Sequence, residues 1–181
     1  TLTLRPKDSY QVHGLDIDSK NVAQARAHVK AAGVYGPVSI DRLAGNKLPY
    51  VDGMVNLVVV EKLGEVPMTE IMRVLAPKGV AHVNHGGEWK TTVKPRPKDI
   101  DDWTHFLHGP GGNAVAHDKK VGPPRHLQWL GSPRWSRHHD RMASMSALVS
   151  SNGRVFYVMD EGSRVSIQLP ARWTVVARDA F

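Results

Sequence analysis

The sequence predicts an α/β half built on a parallel sheet, followed by an antiparallel, all-β half. Three observations carry that reading. Up to about residue 85, apolar strand-like runs alternate with stretches of helical period, the pattern of a sheet with helices on its faces. From about residue 86 the helical period is lost, and Pro, Gly, Trp and His become frequent. Late in the chain, two strand-like runs flank Ser151-Asn152-Gly153, a hairpin turn whose Asn and Gly tolerate positive φ.

The elements follow in order. Tyr10 to Asp16 reads as a strand ending in an acidic turn. Ser19 can cap the next helix through its hydroxyl, and Val22, Ala25, Val29 and Ala32 fall at helical spacing before Gly33 stops it. Val38 to Leu43 is a second strand. The stretch from Asn46 to Gly53 is a loop. Val55 to Val60 is mostly β-branched, the mark of a strand buried on both faces. Met68 to Leu75 is a short helix ended by Pro77, and Gly79 to Val83 is a further strand. Gly86-Gly87 and the run Lys94-Pro95-Arg96-Pro97-Lys98 suggest a proline-stiffened linker over 86–100. Strands are then expected at Met145 to Ser150, Arg154 to Met159, Val165 to Leu169 and Trp173 to Ala177.

Composition narrows the function classes. The 181 residues allow one ordinary domain or two small ones, and a 41% hydrophobic fraction is that of a folding chain. The absence of cysteine excludes disulfides, thiolate metal sites, thioether-linked haem and cysteine nucleophiles. No run approaches the ~18 apolar residues of a membrane span, and the start lacks the plan of a secretory signal. The first residue is not Met, so the chain is expected to begin inside a longer reading frame. The net charge of +7 is spread along the whole length, with one tight basic run at Lys94 to Lys98. A phosphate-backbone footprint needs clustered cations, so nucleic acid is not the expected partner.

Four pieces in the first half carry a resemblance. His13 to Asp18 ends a strand on acidic residues, and Leu48-Pro49-Tyr50-Val51-Asp52 forms an "LPF-x-D" loop. Val55 to Val59 is the next strand, and Glu70 to Gly79 gives an "E-x-x-RVL-x-PGG" segment. Together they resemble, in family order, the second strand onward of a class I S-adenosylmethionine (SAM)-dependent methyltransferase. The resemblance implies a partial Rossmann-like fold over residues 1–85. Asp16 would accept hydrogen bonds from the cofactor's ribose hydroxyls, as acidic residues do in related dinucleotide sheets. Asp18 is a second candidate, more naturally a helix-start charge. The backbone from Leu43 through Ala44 to Gly45 would lie near the adenine. The family's glycine-rich loop has no counterpart here. Ala44 stands where many relatives carry aspartate, Asn56 replaces an aspartate, and Lys78 replaces the first glycine of the "PGG" turn.

Residues 101–181 carry a second resemblance. Asp102-Trp103-Thr104-His105-Phe106, then Gly111 to Ala114, Leu127-Gln128-Trp129 and the ending Val175 to Phe181 resemble the opening of a quinoprotein-like β-propeller of the pyrroloquinoline-quinone (PQQ) repeat type. One blade at most is expected, since closure needs several. Trp103, Trp129, Trp135 and Trp173 are expected to pack between blades rather than form a stacking platform.

Six of the ten histidines lie between His105 and His139. In the densest cluster, His138, His139, Asp140 and Arg141 are candidates for acid–base work on a sugar or polyol. For a lyase, a histidine would take the proton and Arg141 would steady the resulting charge. Adjacent histidines in a strand face opposite ways, so His138 and His139 share an ion only if His105, His108 or His117 joins one of them. No residue set is assigned as a metal site. Loop histidines that merely hydrogen-bond irregular backbone are the alternative to all of these.

Three functions follow. The first is a carbohydrate or polyol enzyme, with PQQ or a metal as possible cofactor in a completed propeller formed with further blades of the parent chain. The second is a non-catalytic propeller scaffold. The third is methyl transfer with SAM, if a glycine loop is supplied. The methyltransferase-like module implies a cytoplasmic setting, the propeller a periplasmic or secreted one.

Overall fold

The computed structural model describes residues 2–5, 7–120, 145–163, 165 and 168–181. The chain divides into two compact units. One comprises Thr1–Asp52, Leu57–Val74 and Ala81–Thr92; the other comprises Gly53–Asn56, Leu75–Val80 and Val93–Phe181.

The first unit opens with a single 3-10 turn, Leu2–Leu4, followed by a βαβ motif: β1 (Val12–Asp16), α1 (Ser19–Ala31) and β2 (Val38–Arg42). β1 and β2 are parallel, paired from Val12↔Val38 to Asp16↔Arg42. Parallel neighbours need a crossover, and α1 supplies it. Its inward face carries Val22 and Val29, which close on Val38 and Ile40 of β2 in one buried cluster, with Leu2, Val12, Ala25 and Val34 around it. The cap is Asp18, not the expected Ser19: the carboxylate accepts the Lys20 N–H at 2.8 Å from an extended residue. A carboxylate there also meets the positive end of the helix dipole. Gly33 at φ 71° ends the helix as expected.

The remaining strands of the α/β half do not join that sheet. β3 (Val55–Val60), β4 (Leu75–His85) and β5 (Glu88–Val93) form a separate sheet in the order β3-β4-β5. The expected single parallel sheet is thus two small ones. Gly86-Gly87, at φ 66° and 106°, turns β4 straight back into β5, which takes the edge of β4 that faces away from β3. Asn84 Oδ1 holds the Gly87 N–H at 2.7 Å, His82 stacks on Trp89 at 4.6 Å, and His82 bonds Thr91 at 2.9 Å. Residues 88–93, inside the stretch expected to be a linker, are therefore strand. β3 is not buried on both faces either: Leu57 is 49% and Val59 37% exposed. Between β3 and β4 lies α2 (Met68–Val74), with Ile71 and Val74 buried.

Lys78 and Gly79 of β4 both pair with Lys94: the Lys78 N–H donates to the Lys94 carbonyl and the Lys94 N–H to the Gly79 carbonyl, each at 2.8 Å. Two residues against one is a β-bulge, and Lys78 takes the left-handed conformation at φ 65°. This is the position where the resemblance implies glycine, and the backbone shows why glycine suits it. Lys78 Nζ reaches Asn152, donating to its backbone oxygen at 2.7 Å and its Oδ1 at 2.8 Å.

The all-β segment is a meander of β6 (Met145–Ser151), β7 (Arg154–Asp160) and β8 (Trp173–Asp179), in the order β6-β7-β8. Its hairpin turn is Asn152-Gly153 at φ 50° and 79°, both positive as a primed two-residue turn requires. β7 and β8 pair without a break from Arg154↔Asp179 to Asp160↔Trp173. Val165, Gln168 and Leu169 are bend and turn, so the strand expected at 165–169 does not form among the described residues. The loop there is instead fixed at its ends: Asp160 Oδ1 accepts the N–H groups of Gly162 and Arg172 at 2.8 and 2.9 Å. Among the described residues the antiparallel strands make one three-stranded sheet, with no closed ring of blades.

Candidate functional site

Asp16 is the last residue of β1, and its backbone carbonyl accepts the Leu43 N–H at 2.9 Å. The two therefore stand side by side at the carboxyl edge of the parallel pair. The Asp16 carboxylate already serves the turn: Oδ1 accepts the Asp18 N–H at 2.8 Å and Oδ2 the Asn21 amide at 3.1 Å. A carboxylate offers about four acceptor positions, so these bonds fix its orientation and leave lone pairs for two further donors. Ala44 is exposed next to Leu43 and contributes only backbone, and Gly45 turns the chain away at φ 77°. Asp18 is occupied as the helix cap.

A polar chain that the sequence reading did not single out runs across the same strands. Tyr50 Oη lies 2.8 Å from His13 Nδ1, and His13 Nε2 lies 3.0 Å from Asp41 Oδ2. Arg26 of α1 bonds Asp41 Oδ1 at 2.5 Å and donates Nε to the Ile40 carbonyl at 2.8 Å. Arg26 and His13 hold the Asp41 carboxyl below its ordinary range. Burial, with a smaller push from the Asp41 charge, raises the Tyr50 hydroxyl to about 12. A phenol kept that firmly protonated is a donor and a positioning group rather than a base at neutral pH. The signal available in the sequence was the strand period: His13 in β1 and Asp41 in β2 each sit one residue inside a strand end, and Asp41 falls on the face opposite the buried Val38 and Ile40.

The "LPF-x-D" and "E-x-x-RVL" pieces meet as one clamp. Arg73 Nη1 donates to Asp52 Oδ1 at 2.6 Å and to the Tyr50 carbonyl at 2.9 Å. Glu70 takes the rest of the guanidinium at 2.6 and 2.8 Å, and its Oε1 also accepts the Leu48 N–H at 2.8 Å. Arg73 pulls the Glu70 carboxyl down to about 2, and Glu70 and Asp52 push the guanidinium above its already high value. An open hollow of about 380 Å³ beside the clamp is lined by Asn46, Lys47, Pro67, Thr69, Glu70 and Arg73. Both motifs thus fix the loop that carries Tyr50.

In the second unit, Asp101, His108 and His117 come together. Asp101 Oδ2 lies 2.7 Å from His108 Nε2, 2.8 Å from the His117 N–H and 3.3 Å from His117 Nδ1. The His117 N–H, then His108 and the Asp102 N–H, hold the Asp101 carboxyl far below the usual range. His105 sits across a tight turn from His108, exchanging backbone bonds at 3.2 and 3.1 Å, with its ring on Thr104 Oγ1. The candidates His138, His139, Asp140 and Arg141 lie outside the described residues, as do Trp129 and Trp135. Trp103 packs its edge against His108 at 5.2 Å, while Trp173 is half exposed.

No family model matches the chain, and no curated protein sequence matches it. Solved structures do overlay on part of it. The [4+2]-cyclase SpnF is 25% identical over 45% of the chain at a TM-score of 0.41. A Galdieria sulphuraria protein assigned as a sarcosine dimethylglycine methyltransferase is 18% identical over 45% of the chain, also at 0.41. The chain spans about a third of the length of each, 32% and 33%. No helix among the described residues is long and apolar enough to cross a membrane.

Proposed function

We propose that the first unit is the cofactor-binding part of a methyltransferase-type domain, taking the nucleoside end of SAM at the carboxyl edge of β1 and β2. The observation that carries this reading is Asp16, oriented at the end of a parallel strand and adjacent to Leu43 on the next. In that frame Asp16 accepts the two ribose hydroxyls, the backbone from Leu43 to Ala44 lies along the adenine, and Tyr50 closes the loop side. SAM would supply the transferable methyl group; this chain's own contribution is to bind and orient the nucleoside.

The test is calorimetry with SAM on this chain and on a form extended toward its amino end. Binding that Asp16→Ala weakens by about 10- to 100-fold, the worth of a charge-assisted hydrogen bond, supports the reading. Absence of heat in both forms rejects it.

A second reading concerns the β6-β7-β8 meander and rests on the sequence resemblance of residues 101–181. It makes the sheet the first blade of a quinoprotein-like propeller that holds a carbohydrate or polyol, with His138, His139, Asp140 and Arg141 as the acid–base group of the whole protein. Loss of turnover on polyol or uronate substrates in a His138→Ala, His139→Ala double variant of the parent protein supports the enzyme. Unchanged turnover favours a scaffold.

A further inference from the structure

We propose that Asp101, His108 and His117 form a binding site for a zinc-class divalent metal ion, distinct from the nucleoside site of the first unit. One ligand atom from each lies within 4.8 Å of the other two. Two imidazole nitrogens and one carboxylate oxygen are a donor set suited to zinc, and three protein ligands leave a fourth position for water. Around a tetrahedral zinc ion, ligand atoms stand roughly 3.4 Å apart. Asp101 Oδ2 stands 3.3 Å from His117 Nδ1 and 2.7 Å from His108 Nε2, and all three ligand atoms lie within 4.8 Å of one another, so side-chain adjustments of about an ångström would seat the ion.

The surroundings fix the ligands. The other carboxylate oxygen, Asp101 Oδ1, accepts the Asp102 N–H at 2.8 Å, and the Asp101 N–H donates to Asp118 Oδ1 at 2.6 Å. Those bonds tie the segments that carry Asp101 and His117. His108 is aimed by a left-handed backbone at φ 71° and by the edge of Trp103. Trp103 is in turn pinned to β6, donating its N–H to Ser150 Oγ at 2.8 Å and accepting the Ser150 N–H at 2.7 Å. Orienting bonds of this kind raise metal affinity.

The site is also reachable. The His108 side chain is 12% exposed, and that of His117 is 80% exposed, so an ion enters from the His117 side. Coordination needs neutral imidazoles: with the ion bound, His108 would carry its proton on Nδ1 and offer Nε2, and His117 would do the reverse. The His108–Asp101 hydrogen bond is then replaced by two bonds to the ion.

Equilibrium dialysis of the full chain against zinc, with cobalt(II) absorption as the geometric probe, tests this. One zinc per chain is expected, with the intense visible bands of four-coordinate cobalt. His117→Ala, whose exposed side chain can be removed without disturbing the fold, should weaken zinc binding by about 10-fold or more. Asp101→Asn should do the same, and His28→Ala, on the exposed face of α1, should change nothing. No saturable uptake by the parent chain, or equal affinity in the parent and the His117→Ala variant, overturns the proposal.

Discussion

Arg73 donates to Asp52 Oδ1 at 2.6 Å across 21 residues of sequence, and the same guanidinium holds the carbonyls of Leu48 and Tyr50. One side chain therefore sets the path of the whole 48–52 loop. Arg73→Ala leaves those acceptors without their donor. The expected cost is about 1–2 kcal/mol, with the ion pairs at the low end because solvent screens them, read as a lower urea midpoint. Arg73→Lys should recover only part, since an ammonium lacks the planar fork that meets several oxygens at once.

The Glu70 carboxyl gives the clamp a pH dependence. Its value falls from 4.5 to about 2 in the folded chain, chiefly through Arg73. A depressed carboxyl adds stability that is fully present above the unfolded value and is lost as pH falls through the folded one. Stability should therefore decline between about pH 4.5 and pH 2 more steeply in the parent than in Glu70→Gln. Parallel acid-denaturation curves would remove Glu70 from the account.

Tyr50 gives the opposite limb. Its hydroxyl is raised to about 12, so its contribution is present below the unfolded value near 10 and is lost as pH rises through the folded one. Among the four tyrosines, one should ionise late in an alkaline ultraviolet titration, and Tyr50→Phe should remove that phase. Asp41→Asn removes only the smaller charge contribution and should leave the late phase in place.

Packing on the βαβ core is tested at Ile40, which is buried against α1 with Val22 and Val29. Ile40→Ala should cost about 2–4 kcal/mol, the lost transfer energy plus an incompletely collapsed cavity. Loss of far-UV helical signal at lower denaturant is the readout.

The hairpin is tested at Gly153. A Cβ there would stand 2.7 Å from the Phe181 ring on a backbone at φ 79°. Gly153→Ala should destabilise β6-β7-β8 by about 1–2 kcal/mol from the left-handed backbone alone, measured as faster amide exchange in those strands.

The sequence made the local elements legible where the signal is short-range. The helical spacing of Val22, Ala25 and Val29 marked α1, and Asn152-Gly153 marked the hairpin, because period and turn chemistry are properties of a few neighbouring residues. Sheet membership was not legible. Whether β3 and β4 extend β1 and β2 depends on pairings between distant strands, and the β-branched run Val58 to Val60 looks the same in either sheet. At the carboxyl edge of β1 and β2, Asp16 and Leu43 stood out through the resemblance, whereas Asp41, Tyr50 and His13 are linked only by the fold. Asp101 and His117 are 16 residues apart with no periodic relation, and only the folded loops show that they meet.

Gly79 has a different kind of restriction from Lys78 beside it. A Cβ at 79 would lie 2.8 Å from the Ala76 carbonyl oxygen and 3.1 Å from that of Val55. Both obstacles are main chain and cannot swing aside. In a saturation library position 79 should return glycine alone, while position 78 should admit glycine and asparagine as well as lysine. Two neighbouring codons would then differ in tolerance because one lacks room and the other only needs a permissive torsion.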